Sequence, residues 1–125
     1  MKTKTQSEVF CIGKERDWED LGGGVKRQIM GFDESIMMVK VRFAKGSIGK
    51  LHDHFHSQVT FCAEGKFNFT IGNETREVVA GDVIYMQPDI PHSALCLEEG
   101  MLIDTFSPVR QDFLDGSAVS YFGDK

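Results

Sequence analysis

Short apolar stretches follow one another from residue 36 to residue 106, roughly ten residues apart, with Gly, Pro, Asn and Asp between them. IMMVKVRFA (36–44) alternates in its second half. VTFCAEG (59–65) predicts a strand ended by a glycine turn. KFNFTI (66–71) alternates strictly, with Phe67, Phe69 and Ile71 on one face. GNE (72–74) is a hairpin signal, and TREVVA (75–80) is the return strand. VIYM (83–86), SALCL (93–97) and MLIDTF (101–106) complete the series. A surface helix would need apolar residues three and four apart over about 11 positions, and the middle of the chain has no such stripe. The pattern therefore predicts an all-β sandwich or barrel. Only PVRQDFLDG (108–116) fits a short helix, with Pro108 in its first turn and Gly116 just past its end.

The chain has 125 residues, which predicts one domain over 1–125. Within it we place a barrel core at about 25–107, an N-terminal arm at 1–17 and a C-terminal segment at 108–125. Lys plus Arg number 14 against 19 Asp plus Glu, a net charge of −5, with no basic stripe, so nucleic acid is not an expected partner. The start, MKTKTQSEVF, lacks an apolar signal core, and nothing approaches the ~18 continuous apolar residues of a membrane span. A cytoplasmic location is the expectation. Cys11, Cys62 and Cys96 are three and far apart, which predicts buried thiols and not a disulfide framework. GGG (22–24) reads as a flexible turn, since neither a Lys-Ser/Thr pair nor a helix follows to make it a phosphate loop.

Histidine is concentrated. His52, His54 and His56 fall within HDHFHSQ, and His92 follows GDVIYMQPDIP. Imidazole is the commonest neutral metal ligand, and residues two apart on a strand share a face. His52 and His54 are thus expected to point together into a barrel mouth. Gln58 shares their parity and offers an amide oxygen, and His92 arrives from another strand. These four would hold one divalent transition metal, with positions left for water and substrate. Mn, Fe, Co, Ni and Zn all suit such donors. No organic cofactor is indicated. His56 stays open between a further ligand, a proton carrier behind the ligands and a histidine packed on the rim.

The spacing carries a resemblance. Gly46, five residues, His52, one residue, His54, three residues, Gln58, six residues and Gly65 form one motif. Gly81, six residues, Pro88, three residues and His92 form a second. Both resemble the paired motifs of the cupin superfamily, which implies a double-stranded β-helix, or jelly-roll, barrel. The chain departs from the usual pattern at Gln58, where Glu is common. A neutral ligand leaves the metal its full charge, which suits Lewis-acid chemistry toward a carboxylate better than high-valent iron.

WEDLGGGVKRQIM (18–30), GKFNFTIG (65–72) and LIDTFSPVRQDFL (102–114), with HDHFHSQ, resemble the small cupins of the KdgF type. That resemblance implies ring opening of 4,5-unsaturated monouronates from pectin or alginate breakdown. It also implies that Asp104, Phe106 and Arg110 line the substrate pocket, with Asp104 as acid/base. Alternation in MLIDTF places Asp104 beside Leu102 and Phe106, a costly position for a carboxylate unless it has a job or a partner. The alternative is a structural pair with Arg110 or a backbone donor. Trp18, Phe55 and Tyr85 are candidates to stack on a sugar face, or ordinary core aromatics. The rival functions are a metal-dependent dioxygenase and a non-catalytic sugar-acid sensor. Val9, Phe10, Cys11 and Ile12 have no obvious place in a closed barrel, which predicts a homodimer.

Overall fold

The computed structural model describes residues 5–115. Its strands are β1 (Glu19–Gly22), β2 (Val25–Asp33), β3 (Ile36–Phe43), β4 (Ile48–His52), β5 (Ser57–Ile71), β6 (Glu74–Val79), β7 (Val83–Met86) and β8 (His92–Ser107). One short helix, α1 (Gln111–Asp115), follows. Pro108 therefore precedes the helix and does not sit in its first turn, and the expected stop at Gly116 lies outside the described residues.

Two strands organise the molecule. The sequence predicts a turn at Gly65 and separate strands on either side of Gly100. Instead, β5 runs 15 residues and β8 runs 16. They pair antiparallel along almost their whole length, with register shifts around Glu64 and Lys66. Both glycines mark the bend. Gly65 has φ +90°, and a Cβ there would sit 2.6 Å from the carbonyl oxygen of Glu99. A Cβ on Gly100 would collide with the Glu64 carbonyl. Residues that resemble turn signals thus let two backbones touch while the strand pair folds over itself.

The bend makes two faces from one hydrogen-bonded sheet. Residues 57–62 of β5 and 101–107 of β8 join β7 on one side and β3, β2 and β1 on the other. Residues 66–71 of β5 and 92–98 of β8 join β6 and β4. The faces enclose Val25, Met37, Val39, Val41, Cys62, Phe67, Cys96 and Leu102, all at most 3% exposed. This is the expected jelly roll, with the paired sheet left open between β6 and β7. Cys62 and Cys96 are buried free thiols, whereas Cys11 is half-buried on the arm.

Replacing Gly65 by Ala should destabilise the fold by about 3 kcal/mol, because it combines a positive φ with a backbone collision. A drop in Tm of more than about 10 °C is the expected result. An unchanged Tm would show that the crossing does not need a glycine.

Candidate metal centre and substrate pocket

Inward-facing residues of neighbouring strands form rows. Ile29, Val39, Asp104 and Thr60 make one, and Met37, Phe106, Gln58 and Met86 make the next. β4 ends at His52, which pairs across the sheet with His92, the first residue of β8. His54 lies past the end of β4, so strand parity is not what orients it. Its loop is tied down instead by the Asp89 N–H, which donates to the His54 carbonyl at 2.7 Å.

The three imidazoles converge: ligating nitrogens of His52, His54 and His92 all lie within 4.8 Å of one another. Each ring has its Nδ1 engaged with a backbone carbonyl: Lys50 at 2.6 Å, His56 at 3.1 Å and Ile90 at 2.9 Å respectively. Donation from Nδ1 leaves Nε2 as the lone-pair nitrogen, the tautomer a metal requires. Two observations fit a cation to these donors. The Nε2 of His92 is buried with no hydrogen-bond partner. The Nε2 of His54 faces Gln58 Oε1 at 2.9 Å. The Gln58 amide nitrogen donates to Thr60 Oγ1 at 2.9 Å, so its oxygen is the atom turned toward His54. Two lone-pair atoms at that distance are suited to sharing one cation, since bonds of about 2.1 Å at right angles give a similar spacing.

Burial pushes the His52 imidazole down to about 4, with the neighbouring His92 and His54 acting the same way. Burial likewise lowers His54 and His92. All three therefore favour the neutral form that binds metal.

His56 is not among the three. It is buried, its Nε2 lies 3.2 Å from the Val109 carbonyl, and Phe55 stacks on it at 3.9 Å between centroids. Its own carbonyl receives His54 Nδ1. It thus bridges the histidine loop to the segment carrying Arg110.

From the histidine cluster a hydrogen-bonded chain runs inward. Thr60 accepts from Gln58 and donates to Asp104 Oδ1 at 2.7 Å. Burial pushes the Asp104 carboxyl up to about 6, although Thr60, Gln58 and the Arg110 charge pull the other way. Phe106 and Arg110 line the same pocket as Asp104, His52 and His92. Arg110 is 2% exposed and grips Asp112 with both ends of its fork, Nε to Oδ1 at 3.1 Å and Nη2 to Oδ2 at 2.9 Å. Its hydrogen-bonded carboxylate is thus Asp112 and not Asp104.

Of the proposed sugar-stacking aromatics, Trp18, Phe55 and Tyr85 are all absent from this lining. Tyr85 is 60% exposed on the outer face of β7, since it alternates with the inward Ile84 and Met86. Trp18 instead meets Lys40 and Arg42. The pocket's phenylalanine walls are Phe43, Phe69, Phe106 and Phe113, the last two with centroids 5.7 Å apart. Phe113 and Arg27, also in the lining, were missed from the sequence. The available signal for Arg27 was its place between Val25 and Ile29 on one face of VKRQI, blurred by the buried Gln28. A larger open cleft, of about 540 Å³, lies between β6 and β7 with Glu74, Arg76, Glu77 and Tyr85 on its walls, but none of the histidines reaches it.

Known proteins match this arrangement. The cupin domain family model matches residues 39–103. The pectin degradation protein KdgF of Dickeya dadantii (strain 3937) is 45% identical over 107 residues, covering 84% of this chain and 97% of the relative. The chain belongs to the cupin family and, within it, to the KdgF type. Solved structures agree with that membership. The KdgF structure from Halomonas sp. superposes with a TM-score of 0.83 at 34% identity, covering 86% of this cupin and 100% of that chain. An RmlC-like cupin from Shewanella frigidimarina NCIMB 400 superposes at 0.86 with 44% identity, covering 88% and 99%. The family also accounts for the jelly roll as a KdgF-type cupin barrel.

Proposed function

We infer that this KdgF-type cupin is a metal-dependent enzyme that opens the ring of 4,5-unsaturated monouronates to keto-uronates, as part of pectin or alginate breakdown. The observation that carries the reading is the path from the histidine cluster through Gln58 and Thr60 to Asp104, a carboxyl near neutrality inside the same pocket. The proposed ligands are His52, His54, Gln58 and His92. A divalent cation bound by them supplies Lewis acidity toward the substrate carboxylate and a neighbouring oxygen.

The substrate is a cyclic hemiacetal whose ring oxygen is also an enol ether at C5. Asp104 takes the proton of the anomeric hydroxyl as the bond from C1 to the ring oxygen breaks. That electron pair moves to the ring oxygen, leaving an aldehyde at C1 and an enolate at C5. Return of that proton to C4 converts the enolate to the ketone, so the reaction is an isomerisation with no other reactant. A carboxyl near 6 exchanges protons readily in both directions around neutral pH. Arg110, oriented by Asp112 along its Nε–Nη2 edge, is the pocket cation that would meet the uronate carboxylate. Phe106 gives the ring an apolar wall.

In D2O, early product from the wild type should carry one deuterium at C4 in a single configuration, seen by proton NMR, with no dissolved oxygen consumed. Oxygen uptake coupled to substrate loss would favour the dioxygenase reading and overturn this one. Acidification tests the Asp104 assignment. The proton-accepting form is lost as pH falls through about 6, so kcat should decline there. A kcat that stays level to pH 4 would contradict it.

The same reading includes a homodimer. Val9 and Phe10 on the arm are 91% and 81% exposed. On the outer sheet face, exposed Val59 and Phe61 lie directly across from exposed Tyr85 and Val83. A second copy is the common cover for such surfaces. Light scattering at micromolar concentration should give twice the chain mass, and a monomer would count against it.

A further inference from the structure

We propose that Arg27 binds the hydroxyl-bearing end of the sugar, opposite the carboxylate, and so sets how much of the substrate the pocket recognises. The proposal rests on the uronate reading above.

Arg27 faces inward from β2 and is only 7% exposed. A buried cation is costly unless it is held, and Glu19, its cross-strand neighbour, holds it. Nε donates to Glu19 Oε1 and Nη2 to Oε2, both at 3.1 Å. Glu19 itself is 54% exposed, so the carboxylate lies toward solvent. The third nitrogen, Nη1, has no hydrogen-bond partner among the described residues, and Arg27 lines the pocket. Its guanidinium carbon lies 4.2 Å from the centroid of Phe113. The guanidinium carbon of Arg110 lies 4.2 Å from that same centroid. Both cations therefore pack on Phe113, at most twice that distance apart. Each is held on one edge by its own acid, Glu19 or Asp112.

Row order assigns the ends. Gln58 and Phe106 share the row nearest the histidines, Thr60 and Asp104 share the next, and Arg27 shares the row beyond with Val41 and Leu102. At about 3.3 Å per strand residue, the outer rows are roughly 13 Å apart at the backbone, with Asp104 between them. A uronate with its carboxylate toward the cluster and Arg110 crosses Asp104 and offers its hydroxyls toward Arg27. A guanidinium N–H donating to a neutral hydroxyl contributes affinity before and throughout the reaction, so its loss should raise KM more than it lowers kcat.

The test uses metal-loaded wild type and Arg27→Met, with Arg27→Lys as the variant that keeps the charge if the Met protein does not fold. Turnover is read with 4,5-unsaturated monouronate. Binding is read calorimetrically with two inert probes, galacturonate, which has both ends, and glycolate, which has little beyond the carboxylate. Arg27→Met should raise KM at least tenfold with kcat within threefold, and weaken galacturonate about tenfold while leaving glycolate unchanged. Arg27→Lys should give the same pattern at smaller size. Equal weakening of both probes would assign Arg27 to the carboxylate and overturn the proposal. So would unchanged KM and galacturonate binding, or a loss confined to kcat. If the wild type opens no unsaturated sugar yet Arg27→Met selectively loses galacturonate, the ring-opening reading fails and the role of Arg27 stands.

Discussion

Asp104→Asn is expected to abolish ring opening while the metal and the fold stay in place. The amide matches the carboxyl in shape and can still accept from the Thr60 hydroxyl, so the link through Thr60 to Gln58 survives. What disappears is a group that can take a proton from one substrate oxygen and return it to carbon. General acid–base catalysis of this kind contributes about 10²- to 10⁴-fold, equivalent to about 3–5 kcal/mol of barrier. The fall should appear in kcat, with uronate binding changed little. Stability should hold or rise slightly. Burial raises the Asp104 carboxyl to about 6, so the fold favours its neutral form, and between the unfolded value of 3.8 and about 6 the native state binds the extra proton. The charged form therefore weighs against folding above about pH 6, a cost that Asn does not carry. Metal content per chain and the Tm at pH 7 check both halves of this expectation. A variant that loses its metal together with its activity would place Asp104 in the support of the ligands and not in proton transfer.

Removing His54 or His92 should act on the metal first. Each supplies a neutral nitrogen whose ring is aimed by a backbone carbonyl, and no neighbouring side chain in the cluster replaces it. His54→Ala or His92→Ala should lower metal occupancy below about a tenth after dialysis and cut activity at least a thousandfold. The barrel should remain folded, because its core rests on Phe67, Met37, Val39 and Leu102 and not on a metal clip. Circular dichroism and Tm of the metal-free wild type provide the reference. Full occupancy in a variant lacking His52, His54 and His92 together would refute the ligand assignment.

The sequence was most readable where local pattern and tertiary role coincide. Residues 36–43, 74–79 and 83–86 form strands close to where alternation and the Gly72 hairpin place them. The histidine cluster was legible because two motifs at set spacing come from adjacent strand ends, and the structure brings them together. Gly65 and Gly100 misled because a glycine chosen for close backbone approach looks the same in sequence as one chosen for a turn. β1, β2 and β4 were not predicted as strands. β2 hides its alternation by putting Arg27 and Gln28 inside, and β4 has a glycine as its buried residue. Tyr85 faces outward and Phe113 inward for reasons of sheet sidedness and helix docking, which short-range pattern does not encode. The hydrogen bond of Thr60 to Asp104 joins residues 44 apart, so nothing local could announce it.

The most direct measurement of the central claim follows the enol-ether absorbance of 4,5-unsaturated monouronate after mixing with metal-loaded protein. Wild type should remove the band much faster than buffer, and the Asp104→Asn protein and chelator-stripped wild type should fall back to the buffer rate. Wild type matching buffer, or Asp104→Asn matching wild type, would contradict it.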